Sequence, residues 1–142
     1  MTNRIDNILL ALKKLKRLNL AKEFVTDNGF FFEELNREQL EKGQRSDNTF
    51  LPNYSNNSEN QKRGRAGEPI KLFDTGDFYK GMDAVATNTG ARIENRDSKD
   101  NKLSDNYGEN IKGLSEESIQ KVKFRFRAYG LNKVRQEINN SL

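Results

Sequence analysis

The placement of apolar residues constrains the fold of this chain more than any other feature. They recur at helical spacing near both ends and lose that spacing across a long central stretch, residues 44–69. The chain is therefore expected to carry a helix at each end, with little regular structure between them. The stripe near the beginning consists of Ile5, Ile8, Leu9, Leu12, Leu15 and Leu18.

The first of these patterns predicts a helix that runs to about Val25. Residues 27–29, Asp-Asn-Gly, are typical of a turn and are expected to break it. A second helix is predicted from Phe30 to Lys42, and Gly43 lies where a glycine commonly ends a helix.

Three consecutive phenylalanines, Phe30, Phe31 and Phe32, open the second predicted helix. Successive residues of a helix point in different directions, so their rings cover more than one side of it. Either all three pack inside the protein, or some of them form a surface for a partner. The pattern does not decide between these alternatives.

The last helix is predicted to begin after Ser115, a good N-cap. Glu116 and Glu117 then complement the positive end of the helix. Gly130 is expected to interrupt it. Its apolar stripe consists of Ile119, Val122, Phe126, Leu131, Val134 and Ile138.

Between the helices the sequence predicts one hairpin and two loops. Residues 82–87 and 91–95 read as strands joined by a short connection that ends in glycine, which suits a hairpin with a bulge. Residues 97–113 read as loop. Residues 44–69 read as a long extended arm, which is either a functional arm that orders on assembly or a disordered insertion. The predicted fold is α+β, a single domain over residues 1–142 with terminal helices on a small antiparallel sheet.

The composition limits the kinds of function the chain can have. Hydrophobic residues make up 33% of it and the mean hydropathy is −0.97, so the core must be small. With no Cys and no His, the usual zinc sites, thiolate nucleophiles and the commonest general base are missing. Carboxylate, lysine or tyrosine chemistry stays possible, but catalysis is disfavoured, and we expect no enzyme activity, no cofactor and no metal. No apolar run reaches the roughly 18–20 residues of a membrane span, and a soluble protein made in a cytoplasm is expected.

Charge is distributed unevenly along the chain. Residues 1–26 carry six basic against two acidic residues, and residues 118–142 carry six against one. Residues 27–117 carry thirteen basic against eighteen acidic residues, so two basic ends flank an acidic centre. This asymmetry fits contact with nucleic acid, head-to-tail association of identical subunits, or simply solvated faces on the terminal helices.

Two charged clusters could bind ions, but each also has a purely structural or solubility explanation. Asp74, Asp77 and Asp83 could bind a hard cation, but Asp-Thr-Gly-Asp is also common turn and cap chemistry, which we favour. Residues 62–65, Lys-Arg-Gly-Arg, could contact phosphate or simply aid solubility.

The order of several short motifs is more specific than either cluster. A polar stretch containing Leu-Pro-Asn-Tyr-Ser at residues 51–55 precedes Leu-Phe-Asp-Thr-Gly-Asp-Phe-Tyr at residues 72–79. A hairpin follows, and then Tyr-Gly-Glu-Asn-Ile-Lys-Gly-Leu-Ser at residues 107–115 leads into the last helix. This order resembles the phage virion-morphogenesis and tail-completion proteins, head–tail joining neck proteins of the kind found in phages of Bacteroidetes hosts. The resemblance covers about residues 30–125.

The resemblance implies a non-enzymatic structural subunit of a tailed-phage virion. Such a subunit would form a ring of six or twelve copies at the head–tail connector or tail, beside other neck, portal or tail proteins. It would be assembled in the bacterial host cytoplasm, with no membrane partner and with DNA contact optional. A small basic nucleic-acid-binding protein is the alternative. The expected subunit interface comprises Phe30, Phe31, Phe32, Phe50, Leu51, Tyr54, Arg63, Arg65, Phe73, Phe78 and Tyr79.

Overall fold

A computed structural model describes residues 4–17, 20–87 and 90–141 of the chain. Helices hold most of these residues and two antiparallel strands form one small sheet, so the predicted α+β class is confirmed. The elements in chain order are α1 (Arg4–Arg17), α2 (Leu20–Glu41), α3 (Ser58–Lys62), α4 (Asp77–Lys80), β1 (Met82–Thr87), β2 (Gly90–Asn95), α5 (Asp100–Tyr107), a 3-10 turn (Glu109–Ile111) and α6 (Glu116–Ser141).

The predicted hairpin is confirmed and packs against α2. Its register pairs Met82 with Asn95 and Thr87 with Gly90. The predicted bulge involves residues 88–89, which lie outside the described residues. Where β1 crosses α2, a Cβ on Gly29 would meet that of Ala84 at 3.7 Å, so the helix and the strand approach closely. The buried core consists of Phe24, Val25, Phe32, Leu40, Leu51, Phe78, Tyr79, Met82, Ile93 and Ile111.

The predicted break at residues 27–29 is a kink inside α2. Asn28 leaves helical geometry, with φ −120° and ψ 22°, and its side-chain amide donates to the carbonyl of Phe24 at 3.1 Å. The helix resumes because Phe24 and Phe32, on either side of the kink, are buried in the same core. The structure thus divides the first predicted helix between α1 and the start of α2, and Leu18 lies outside the described residues.

The extended arm predicted at residues 44–69 is not confirmed, because the segment folds back on itself. Isolated antiparallel bridges join Gln44 to Phe50 and Asn53 to Pro69, and Leu51 is buried in the core. The short helix α3, capped by Asn57, lies within the loop that the second bridge closes. Local side-chain hydrogen bonds order this segment, and apolar periodicity does not reveal such bonds.

The loop predicted at residues 97–113 is wrong, since α5 and the 3-10 turn occupy most of it. Ile111 is fully buried, and Tyr107 packs against the core. The Lys112 ammonium pairs with Asp100 at 3.0 Å and Glu109 at 3.2 Å, which links α5 to the turn. Burial works against that positive charge, but these hydrogen bonds outweigh it and raise the pKa of Lys112.

The predicted last helix is confirmed in α6, and the interruption expected at Gly130 is not found. The Ser115 hydroxyl accepts from the backbone N–H of Ser118 at 3.3 Å, so it caps the helix as predicted. Gly130 lowers helix stability by only about 1 kcal/mol. The packing of α1 along α6 outweighs this and keeps α6 continuous to Ser141.

Two buried amide side chains of α2 attach the start of α6 to it. Asn36, which is 0% exposed, donates to the carbonyl of Ile111 at 3.0 Å and accepts from the N–H of Gly113 at 2.8 Å. Gln39 accepts from the N–H of Ser115 at 2.8 Å and donates to the Gly113 carbonyl at 3.0 Å. An irregular segment with free backbone groups can therefore be buried without losing its hydrogen bonds.

We expect Asn36→Leu to lower the free energy of unfolding by about 2–5 kcal/mol, because it leaves one buried N–H and one buried carbonyl without partners. Denaturant unfolding followed by circular dichroism measures this change. Asn132→Leu, at an exposed position of α6, is the control and should change stability by less than about 0.5 kcal/mol. Equal losses in the two variants would contradict the structural role given to Asn36.

Candidate functional site

The chain bends at residues 72–79, beside a groove of about 470 Å³. Gly76 adopts φ +87° and begins α4, and the Thr75 hydroxyl donates to the Asp77 carboxylate at 2.7 Å. The positive φ of Gly76 makes a turn here, which is the interpretation favoured from the sequence for Asp-Thr-Gly-Asp. We call this the bend groove, and its lining includes Tyr54, Arg63, Arg65, Leu72, Phe73, Asp74, Asp77, Lys99, Lys102 and Tyr107.

Tyr79 fixes the bend to the core. Its hydroxyl donates to the carbonyl of Lys71 at 2.5 Å, and burial raises the pKa of that hydroxyl. The half-exposed ring of Phe73 lies edge-on to the Tyr79 ring, with 5.3 Å between the ring centroids. The Phe73 ring is therefore exposed to solvent, while Tyr79 anchors the backbone of the bend to the core.

The arginines of the basic cluster at residues 62–65 are used within the chain. The Arg65 guanidinium lies 4.4 Å from the centre of the Tyr54 ring and donates to the Asn60 side chain at 2.7 Å. Arg63 forms an exposed ion pair with Glu59 at 3.0 Å. Lys99, just before α5, and Lys102 within it line the bend groove, and neither forms an ion pair among the described side chains. The lining of the groove thus combines aromatic side chains with charges of both signs.

The phenylalanine run of α2 faces three ways. Phe32 is buried, Phe31 is partly buried and Phe30 is 53% exposed. The Arg125 guanidinium of α6 stacks on the rings of both Phe30 and Phe31, at 5.2 and 4.5 Å from their centres. The alternative in which all three rings pack inside the protein is therefore wrong, and a partner surface at Phe30 stays a prediction.

Phe124 is an interface candidate that sequence reasoning missed. Its side chain is 77% exposed, and it lines an apolar hollow on α6 together with Phe31, Arg125 and Ala128. The available signal was its position, because Phe124 falls outside the stripe predicted to face the core. A large aromatic residue off the buried face is a recognisable mark of a contact surface.

The structure divides the predicted interface residues into two groups. Phe32, Leu51, Phe78 and Tyr79 lie in the core of the chain itself, so the prediction that they face a partner is corrected. Their burial follows from α2, the fold-back at residues 44–69 and α4 meeting the hairpin. The residues that keep exposed or partly exposed side chains are Phe30, Phe31, Phe50, Tyr54, Arg63, Arg65 and Phe73.

Asp74, Asp77 and Asp83 are not grouped as three ligands of one metal ion. Asp83 pairs with Arg96 at 2.6 Å, Asp77 accepts the Thr75 hydroxyl, and Asp74 is exposed. Within residues 4–17, 20–87 and 90–141, no group of three acidic side chains is placed to hold a metal ion. None of the helices described in those ranges is long and apolar enough to cross a membrane.

α2 and α6 lie side by side and antiparallel. As the residue numbers decrease along α2, those of their contact partners increase along α6. This order fixes the relative direction of the two helices and their register. Burial and the hydrogen bond to Asp27 raise the pKa of the Tyr129 hydroxyl at this seam to about 12. The four contacts are Gln39 with Ser115 at 2.8 Å, Asn28 with Arg125 at 3.0 Å, Asp27 with Tyr129 at 2.8 Å and Glu23 with Lys133 at 3.9 Å.

Comparisons of the chain with protein-family models, with curated proteins and with solved structures found no match.

We expect Gly76→Ala to lower the free energy of unfolding by about 1–3 kcal/mol. The alanine would hold a positive φ, and its Cβ would lie 3.2 Å from the Phe73 ring. Gly64→Ala is the matched control, because φ there is +68° and no atom lies within 4 Å of the added Cβ. The control should lose about 1 kcal/mol, the cost of positive φ alone. Equal losses in denaturant unfolding would show that the contact with Phe73 does not brace the bend.

Proposed function

We propose that the chain is a non-enzymatic structural subunit of a tailed-phage virion. In this proposal several copies form a ring at the head–tail connector or in the tail. Two lines of support meet here. One is the order of motifs that resembles phage tail-completion proteins. The other is an interaction surface of exposed aromatic side chains on a chain with a small core.

The observation that carries the proposal is the amount of apolar surface left uncovered. Among the residues that the structure describes, eight large hydrophobic side chains are more than half exposed, while eleven hydrophobic side chains, the ten of the core and Leu35, are buried. Single exposed apolar residues are ordinary on a protein surface, but clustered ones mark contacts with other proteins. Arg125 stacks on the Phe30 ring and lines one apolar hollow with Phe124, and aromatic and arginine side chains are enriched at protein interfaces.

A small nucleic-acid-binding protein is the second candidate. It is favoured by one observation, three exposed basic residues of α6 at intervals of four and eight: Lys123, Arg127 and Arg135. Titration with duplex and single-stranded DNA at 50 and about 200 mM salt tests it, since phosphate contacts weaken steeply as salt rises. Tight, salt-dependent binding by a protein that stays monomeric would favour this candidate over the virion subunit.

We expect the purified protein to sediment as a closed assembly of several copies and to be found in purified virions. Phe124→Ser should weaken self-association by about tenfold or more, because an exposed aromatic anchor is lost from the interface. The same change should leave stability within about 0.5 kcal/mol. Gln136→Ser, at another exposed position of α6, is the control and should assemble as the wild type does. A strictly monomeric protein that is missing from virions would contradict the proposal.

A further inference from the structure

The antiparallel pairing of α2 and α6 separates charge towards opposite ends of the helix pair. Glu34, Glu38 and Glu41 are exposed on the second half of α2, and we call them the acidic face. Lys123, Arg127 and Arg135 are exposed along α6, and we call them the basic face. The start of α6 lies against Gln39, so the acidic face sits beside residue 115 and the basic face lies towards the other end.

Within the described part of the chain, the charges of both faces have no oppositely charged partner. The cations of α6 that face α2 have partners, since Arg125 binds Asn28 and Lys133 pairs with Glu23. The three cations of the basic face point elsewhere. Among the described side chains, none of the six residues of the two faces forms an ion pair or a side-chain hydrogen bond.

The acidic face is short enough to fit within the length of the basic face. With a rise of about 1.5 Å per helical residue, the acidic face extends over about 10 Å and the basic face over about 18 Å. Leu131, 61% exposed, lies between Arg127 and Arg135, and Phe124 adjoins Lys123. Apolar side chains interleaved with cations suit a protein surface, because a phosphate backbone offers them nothing to pack against.

We propose that the basic face of α6 docks on the acidic face of α2 in a second copy of the chain. The two faces differ, so the contact is head-to-tail, and repeating it produces a ring when the rotation between neighbours closes. The acidic face attracts the cations, and Leu131 and Phe124 add apolar burial. This inference rests on the proposed function, because it names the surfaces through which the ring forms.

Charge exchange between two variants tests this pairing. One variant carries Lys123→Glu, Arg127→Glu and Arg135→Glu, and the other carries Glu34→Lys, Glu38→Lys and Glu41→Lys. Each alone should associate about 100-fold more weakly than the wild type, because every head-to-tail contact then joins two faces of like charge. An equimolar mixture should recover assembly, since every junction again joins opposite charges. Sedimentation velocity measures all three, and circular dichroism verifies that each variant is folded.

A matched control carries Lys62→Glu, Lys71→Glu and Lys80→Glu, three exposed lysines outside both faces. It has the same net charge as the basic-face variant and should assemble as the wild type does. For the wild type, raising the salt from 0.1 to 1 M shortens the screening length from about 10 to about 3 Å and should weaken association by about tenfold or more.

The outcomes separate this inference from the proposed function. If the wild type assembles and either variant assembles equally well, the pairing is wrong while the proposed function stands. Failure of the mixture to recover, or a wild type that stops at a dimer, likewise overturns the head-to-tail pairing. If the basic-face variant assembles but no longer binds DNA, the basic face belongs to nucleic acid. A wild type that never self-associates contradicts the proposed function itself.

Discussion

The fold depends on the hydrogen bonds that Asn36 and Gln39 of α2 make to the backbone of residues 111–115. This segment has no regular structure after the 3-10 turn, so its N–H and carbonyl groups need partners wherever it is buried. Two amide side chains one helical turn apart supply them. They thereby set where α6 begins along α2, and every later contact between the two helices inherits that register.

Regular apolar patterns were enough to predict the hairpin and α6. The segments that polar contacts hold in place, α5 and the fold-back at residues 44–69, could not be predicted in that way. α5 contains few apolar residues, and its burial rests on Leu103 and Tyr107, too few to give a period. The fold-back at residues 44–69 is ordered by side-chain to backbone bonds, and the partners of Arg45 lie up to 62 residues away, at the Tyr107 carbonyl. Long-range polar pairs of this kind leave no local trace in one sequence.

The candidate interface shows the same division. A helix turns about 100° per residue, so three successive phenylalanines had to point three ways. What the sequence could not give was the direction of the core, which depends on where β1 and α6 lie against α2. Phe78 and Tyr79 were predicted to meet a partner, but the packing of α4 beneath the bend places both in the core. Phe124 could have been found by asking which aromatic residue fails to fit the stripe of its helix.

The separation of charge along the helix pair has a consequence for the isolated chain. Because α6 begins beside Gln39, its first residues Glu116 and Glu117 lie at the same end as the acidic face. The positive end of the α6 dipole favours these two glutamates, but only within the first turn. Glu34, Glu38 and Glu41 lie on another helix and have no such compensation. The basic face has the same excess of one sign at the other end. In the proposed head-to-tail arrangement, each contact joins the basic face of one copy to the acidic face of the next. In a closed ring, both faces of every subunit would therefore have a partner of opposite charge.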